Sequence, residues 1–394
     1  MRSGVAQIPL DYGTCPRWLF EKMTRLGRLI VEAIVYEFGP EEFIKRLANP
    51  FFFQSLGSVL AFDWNSSGLT TTLCGALKEA LRGTERDLGI FVAGGKGKTS
   101  RKTPQQIEDF GLRFALGFAP QLIYASRMSA KVDSAALQDG FQLYHHSFFF
   151  TKAGSWSVVQ QGMNTEIKQA RRYHWQSELL HSSLRPAGEA HSVGAAGLNF
   201  VEEPQAAICS DVKVKPLNLV AKESNQTRDY SVGLIKENFN SLLRDLKNIN
   251  RRSLLSRQLV KNKQKGLQPL PFLDLPSDEQ SPPPILFFDY RRVEKVLFQA
   301  REKNPLDFEE LLSKTPVGPT TLRALALVSE IIYGAKPSYN DPVRYSFAHG
   351  GKDGYPYPVD QENYEKSITI LQRAVTKAKM GQVEKIKIFK KIAK

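Results

Sequence analysis

No stretch of the chain approaches the roughly twenty apolar residues that a membrane-spanning helix needs. The N-terminus also lacks the apolar core of a secretory signal. Neither a membrane protein nor a secreted one is expected, and the reading is cytoplasmic with no membrane partner. Cysteine is scarce: Cys15, Cys74 and Cys209 are an odd number without paired spacing, which argues against a disulfide framework or a cysteine-based zinc site. Histidine is scarce too, with six in 394 residues. His145, His146 and His174 all fall within residues 130–175, and that concentration marks the stretch.

Present in excess is positive charge. The net charge is +14, and its location matters more than its size. Residues 244–265 carry eight basic side chains against Asp245 alone, and residues 361–394 carry nine against Glu362, Glu365 and Glu384. Basic stripes of this kind are the footprint of a polyanion, so the expected partner is nucleic acid, DNA first. A hydrophobic content of 42% with 10% aromatics indicates a folded chain, and the length calls for two or three domains.

The expected fold class is α+β: an N-terminal mixed helix and strand domain with a small antiparallel sheet, then a mostly helical C-terminal domain. Composition divides it into 1–243 as the domain for chemistry, 244–285 as a basic helix and Pro-rich linker, and 286–394 as a nucleic-acid-binding domain. Apolar residues at helical spacing predict helices over 18–36 and after Gly39-Pro40, closing at Pro50. A β-prone segment over 88–93 leads into Gly94-Gly95-Lys96-Gly97-Lys98-Thr99-Ser100-Arg101-Lys102. Glycines free the backbone to point N–H groups at an anion, and Lys96, Lys98 and Arg101 add charge, so a phosphate cradle is expected. The GxxxxGK[ST] spacing is absent, so it is not an ATP-binding loop of that class. Thr103-Pro104 opens a helix.

Residues 144–151 and 155–161 read as two β-strands joined by a turn at Lys152-Ala153-Gly154, with a helix starting at Asn164 or Thr165. Because strand residues alternate faces, His145 and His146 point oppositely, as do Gln160 and Gln161. One member of each pair is therefore expected to face inward and to need a partner. Asp133 and Asp139 precede this hairpin, and Arg171, Arg172 and His174 follow it. Carboxylates able to hold Mg²⁺ or Mn²⁺, imidazoles able to move protons and guanidiniums able to meet a phosphate suit phosphodiester chemistry. Asp63, wedged between Phe62 and Trp64, is a third candidate metal ligand.

Further on, residues 306–334 give two helices around Pro316-Val317-Gly318, the pattern of a helix-hairpin-helix. Val317, Gly318, Thr320 and Thr321 would there direct N–H groups at one DNA phosphate. Tyr355 and Tyr357 are candidates for stacking on bases.

The runs LAFDWNSSGLTTT, AGGKGKTSRKTP, AKVDSAALQDGFQLYHH, WSVVQQGMN, ARRYHW and RYSFAHGGKDGYPYPVD span nearly the whole chain. Together they resemble the prokaryotic domain-of-unknown-function family numbered 763. The resemblance implies no activity. It does imply histidine at the positions of Asp11 and Asn65, so an imidazole ligand or base is not expected at either.

Three functional readings follow. The first is a metal-dependent DNA nuclease of repair or recombination, with Asp133 and Asp139 on the metal, His145 or His146 moving protons beside Gln160 and Gln161, and Lys96, Lys98, Arg171 and Arg172 on the phosphate. The second is a non-catalytic DNA-binding or structural protein whose central polar residues are architectural. A third is a DNA glycosylase or abasic-site lyase using Lys96 or Lys131 as the amine.

Overall fold

The computed structural model describes residue 10 and residues 15–60, 67–178, 199–210, 212–264 and 288–343, with positions 369, 373 and 376. Asp11, Asp63, Asn65, Tyr355, Tyr357 and most of the C-terminal basic stretch lie outside the described residues. The chain divides into one compact unit running to Ala221 and resuming at Tyr339, and a second spanning Lys222–Ser338.

The first unit begins with a helical layer. α1 (Arg17–Phe38) stops where Gly39 takes a φ of +86°, a conformation that glycine adopts without strain. α2 (Pro40–Leu47) follows, with Glu41 and Glu42 in its first turn and Lys45 and Arg46 in its last, each complementing the helix dipole. Asn49 Oδ1 then accepts from the backbone N–H groups of Phe51 and Phe52, capping α3 (Pro50–Val59). Pro50 thus opens a third helix as well as closing the pair. α4 (Ser67–Leu81) packs on α1, and Arg28 donates to the Ala80 and Arg82 carbonyls at its end, at 2.6 and 3.2 Å. Carbonyls that a helix end leaves orphaned are satisfied this way.

After the short α5 (Glu85–Leu88), β1 (Ile90–Lys96) runs through a 3₁₀ turn, Gly97–Lys102, into α6 (Thr103–Phe114). α7 (Ala119–Lys131) ends in a π-type turn, Val132–Ala136. β2 (Leu137–Gln138) pairs with β7 (Leu217–Asn218) as a small ribbon. The main sheet is antiparallel in the order β1-β3-β4-β5-β6, with β3 (Gln142–Thr151), β4 (Trp156–Asn164), β5 (Gln169–Gln176) and β6 (Ala207–Cys209). The α+β class with a small antiparallel sheet is therefore the observed one.

This sheet is covered on both faces. On one, Val92, Phe149 and Val159 join the apolar core of α1 to α4. On the other, Phe91 stacks on Phe150 at 4.9 Å and Phe148 on Trp156 at 5.5 Å, with Phe110, Phe114 and Phe200 closing over them. A strand buried on both faces carries no alternation of apolar and polar residues. That is the reason for one correction: the helix expected from Asn164 is a turn followed by β5. Asn164 Oδ1 does accept from the N–H groups of Glu166 and Ile167, as a helix cap would. Lys168 then takes a φ of +53°, and the chain reverses instead of winding on.

The second unit is helical in its described residues. α8 (Asn225–Lys236) and α9 (Phe239–Gln264) precede the Pro-rich stretch, and α10 (Tyr290–Glu302), α11 (Phe308–Lys314) and α12 (Pro319–Tyr333) follow it. Helices from both sides of that stretch pack together: Phe239 meets Phe298 edge-on at 5.0 Å and lies under Arg301. The unit boundary accordingly falls after Ala221, not in the Pro-rich segment. In α11, Asp307 caps Glu310 N–H, Glu310 accepts from Leu306 N–H and pairs with Lys314 at 2.6 Å. Such reciprocal capping fixes where a short helix begins.

Candidate functional site

The sheet register aligns polar side chains across adjacent strands. His146 stands opposite Gln160, which stands opposite Tyr173; one residue along, Lys96, His145, Gln161 and Arg172 form a second row on the other face. His145, His146, Gln160, Gln161, Arg172 and Tyr173 are all buried. The expectation that one member of each His and Gln pair faces inward falls short, since both do, into different layers.

On the face toward α7, one chain of hydrogen bonds runs from Ser126 to Asp133. Gln160 Nε2 donates to Asp133 Oδ2 at 2.5 Å and to the Ser129 carbonyl at 3.2 Å, so its Oε1 must face His146 Nδ1, 2.8 Å away. An amide oxygen only accepts, which places the imidazole proton on Nδ1 and leaves Nε2 to accept from Ser126 Oγ at 2.9 Å. Burial pushes His146 down to about 4, so this neutral form persists at physiological pH. Asp133 accepts further bonds from Trp175 Nε1 and Gln205 Nε2, both at 2.7 Å. Those donors favour its anion, yet burial outweighs them and pushes the carboxyl up to about 8.

Asp139 sits in a different arrangement. Its Oδ1 accepts from Phe141 N–H at 3.0 Å, and its Oδ2 accepts from Arg171 Nη1 at 3.0 Å and Tyr173 OH at 2.7 Å. Arg171 also makes a two-pronged pair with Asp341, at 3.1 and 2.8 Å, and donates to the Val212 carbonyl. Its ring-side neighbour is Phe141, 4.6 Å from the guanidinium carbon. Burial opposes the charge on Arg171, but Asp139, Tyr173 and Asp341 outweigh it and hold the guanidinium above its ordinary value. One cation thus ties three distant segments of the first unit together.

The opposite face is less completely satisfied. A β-bulge between Leu143 and His145 lets Tyr144 turn toward Gln161, whose Nε2 donates to Tyr144 OH and to the Ser67 carbonyl at 2.9 Å. Among the described residues Gln161 Oε1 has no hydrogen-bond partner. His145 Nε2 lies 3.0 Å from Ser147 Oγ, and His145 Nδ1 has no partner among those residues either. Burial, with His146 and Lys96 adding to it, pushes His145 down to about 3. Arg172 donates to Thr70 Oγ1 and Gln54 Oε1, at 3.3 and 3.2 Å, and burial pushes it down to about 10. His174 donates from Nδ1 to the Leu47 carbonyl at 3.0 Å.

At the end of this row the Gly-rich turn reaches the surface. Gly94, Gly95 and Gly97 take φ values of +87°, +145° and +59°. Lys78 Nζ donates to the Gly94 carbonyl at 2.7 Å and to Gln106 Oε1 at 2.8 Å, while Gly94 N–H donates to the same Gln106 oxygen at 2.9 Å. Two anchors therefore fix the turn from behind. In front, Lys96, Lys98, Arg101 and Lys102 are exposed, and among the described residues none of the four enters an ion pair. In the second unit, Val317 is buried, Gly318 precedes α12 without a side-chain cap, Thr320 is exposed and Thr321 is buried.

These placements sort the sequence expectations. Lys96, Lys98 and Arg101 are free to meet a phosphate, whereas Arg171, Arg172 and His174 are enclosed and spent on internal partners. Asp133 and Asp139 come near enough for Asp139 to raise Asp133, but their oxygens are already filled by N–H and O–H donors. Among the described residues no three His, Cys, Asp or Glu side chains gather as a metal-binding group. The pair does not fit a divalent cation as it stands. Asp133 also pairs with neither Lys131 nor an arginine; its partners Gln160, Trp175 and Gln205 are up to 72 residues away. Ser126, Lys78, Gln106, Gln205 and Asp341 carry parts of the network and had no local signal in the sequence. No described helix is long and apolar enough to cross a membrane. The family model described as a protein of unknown function, DUF763, matches residues 4–359. No curated protein and no solved structure matches the chain.

Proposed function

The chain belongs to the DUF763 family, whose description assigns no activity, and from its own geometry we propose that it is a nucleic-acid-binding protein, DNA being the intended partner. The observation that carries this reading is the turn at 94–102: four exposed cations without acidic partners among the described residues, on a backbone pinned at Gly94 by Lys78 and Gln106. Cations that a fold leaves unpaired and holds in place lose little conformational freedom on meeting phosphates. The second unit adds Arg244, Lys247 and Arg251, exposed along α9 at a spacing that puts them on one helix face. It also adds the α11 and α12 hairpin, whose uncapped second helix offers the Thr320 and Thr321 N–H groups.

Of the readings set out from the sequence, the non-catalytic one is favoured. Asp133, Asp139, His146 and Gln160 are saturated by one another and by buried neighbours, the arrangement of a network that specifies a core. Fluorescence anisotropy with labelled single-stranded, duplex and branched DNA, with and without Mn²⁺, tests the proposal. Salt-dependent binding without cleavage is the expected result; strand cleavage that requires Mn²⁺ would restore the nuclease reading, and the absence of binding would remove both.

A further inference from the structure

The two unsatisfied groups behind the basic turn are a matched set. His145 Nδ1 and Gln161 Oε1 belong to residues 1% and 0% exposed, stand opposite each other on β3 and β4, and lack partners among the described residues. A buried polar atom without a partner destabilises the fold, so two adjacent ones call for an explanation. Gln161 cannot relieve its own by flipping, because both amide hydrogens are committed to Ser67 O and Tyr144 OH. Where the Ser147 hydroxyl donates to His145 Nε2, 3.0 Å away, the imidazole proton lies on Nδ1. The row then presents one donor, one acceptor and, directly across from His145 on β1, the Lys96 ammonium.

We propose that the 94–102 turn, with His145 and Gln161 behind it, is a subsite for a phosphate monoester, the group found at a phosphorylated nucleic-acid end. An internal phosphodiester offers only acceptors, which would answer Lys96 and His145 but leave Gln161 Oε1 unsatisfied. A monoester in its singly protonated form has acceptor oxygens and one P–OH donor, and so answers all three. Lys96 at the end of β1 and Lys98, Arg101 and Lys102 on the turn beyond it supply the positive charge that holds such an anion beside the row. The identity of the monoester as a nucleic-acid end rests on the function proposed above; the subsite itself does not.

The test uses the full chain and one oligonucleotide in 5′-phosphorylated, 3′-phosphorylated and hydroxyl-ended forms, with inorganic phosphate and a nucleoside monophosphate as separate probes. One phosphorylated form is expected to bind about tenfold tighter than the hydroxyl-ended form, as one added set of charge-assisted hydrogen bonds would give. Lys96→Gln, an exposed substitution, should erase that advantage and weaken hydroxyl-ended binding only by the one phosphate contact removed. Inorganic phosphate should shift the His145 imidazole resonances in a spectrum of ¹⁵N-histidine-labelled protein. Equal affinity for all three ends, or an advantage that survives Lys96→Gln, overturns the subsite and leaves DNA binding standing. If no oligonucleotide binds but phosphate shifts His145, the subsite is upheld and the nucleic-acid reading fails. No response of His145 to phosphate or to the monophosphate overturns the proposal whatever the DNA result.

Discussion

The buried titratable groups around β3, β4 and β5 should give the first unit a stability maximum near neutral pH. Asp133, raised to about 8 from an ordinary 3.8, holds a proton in the folded chain that the unfolded chain has released. Its contribution is complete below the unfolded value and is lost as pH rises toward the folded one. Between about pH 6.5 and about pH 8 the loss comes to about 2 kcal/mol, at about 1.4 kcal/mol per unit. His145 and His146, lowered to about 3 and about 4 from 6.5, and His174, lowered well below it, act in the opposite sense. Below about pH 6.5 the unfolded chain takes up three protons that these imidazoles refuse, more than Asp133 and Asp139, which burial also raises, retain in the folded one, so stability falls on the acid side. All four tryptophans, Trp18, Trp64, Trp156 and Trp175, precede Ala221, so urea unfolding followed by tryptophan fluorescence reports on this unit. Asp133→Asn should lower stability by about 1–3 kcal/mol, because its NH2 group turns two further hydrogens on N–H donors that a carboxyl oxygen had met. It should also flatten the alkaline flank. Wild-type stability that is constant or rising across the alkaline window, or an unchanged flank in Asp133→Asn, would refute the reasoning.

Arg171→Leu leaves Asp139 and Asp341 buried without their cation and should cost about 3–5 kcal/mol, read as a large fall in melting temperature. Asp139→Asn should cost distinctly less, because Arg171 keeps its two bonds to Asp341; equal losses would show that the guanidinium is not the hub. Gly94→Ala should destabilise by more than about 2 kcal/mol, since it needs a left-handed φ and its Cβ would collide with the His146 carbonyl oxygen. If its melting curve matches that of the wild type, the turn is not fixed in the way described.

Much of this architecture was legible in the chain, and its failures have identifiable causes. The β3 to β4 hairpin was readable because Lys152-Ala153-Gly154 interrupts two aromatic, β-branched runs, and the helix at Thr103-Pro104 because proline suits a first turn. β5 was not, because Ala170 to Gln176 is buried on both faces and puts arginine on each. The basic turn was legible as local chemistry: glycines and lysines in sequence act as neighbours in space. The partners of Asp133 and Asp139 were not, because hydrogen bonds from Gln205 and Arg171 span 72 and 32 residues, and only the fold determines them. A run of chemically capable residues over 130–175 therefore pointed to a real cluster but not to its role. The missing quantity was burial, which turned arginines expected on a phosphate into internal cations.

The claim at the centre of this account is that the exposed turn, and not the buried carboxylates, meets the ligand. Replacing Lys96, Lys98, Arg101 and Lys102 together by glutamine tests it most directly, with DNA affinity measured over a range of salt beside a thermal melt. An unchanged melting temperature is expected, with weaker binding and a log affinity against log salt slope flatter by roughly 0.7 to 0.9 for each phosphate that the variant no longer neutralises. Unaltered affinity and slope in the quadruple variant, with binding abolished instead by Asp133→Asn in a protein that remains folded, would contradict it.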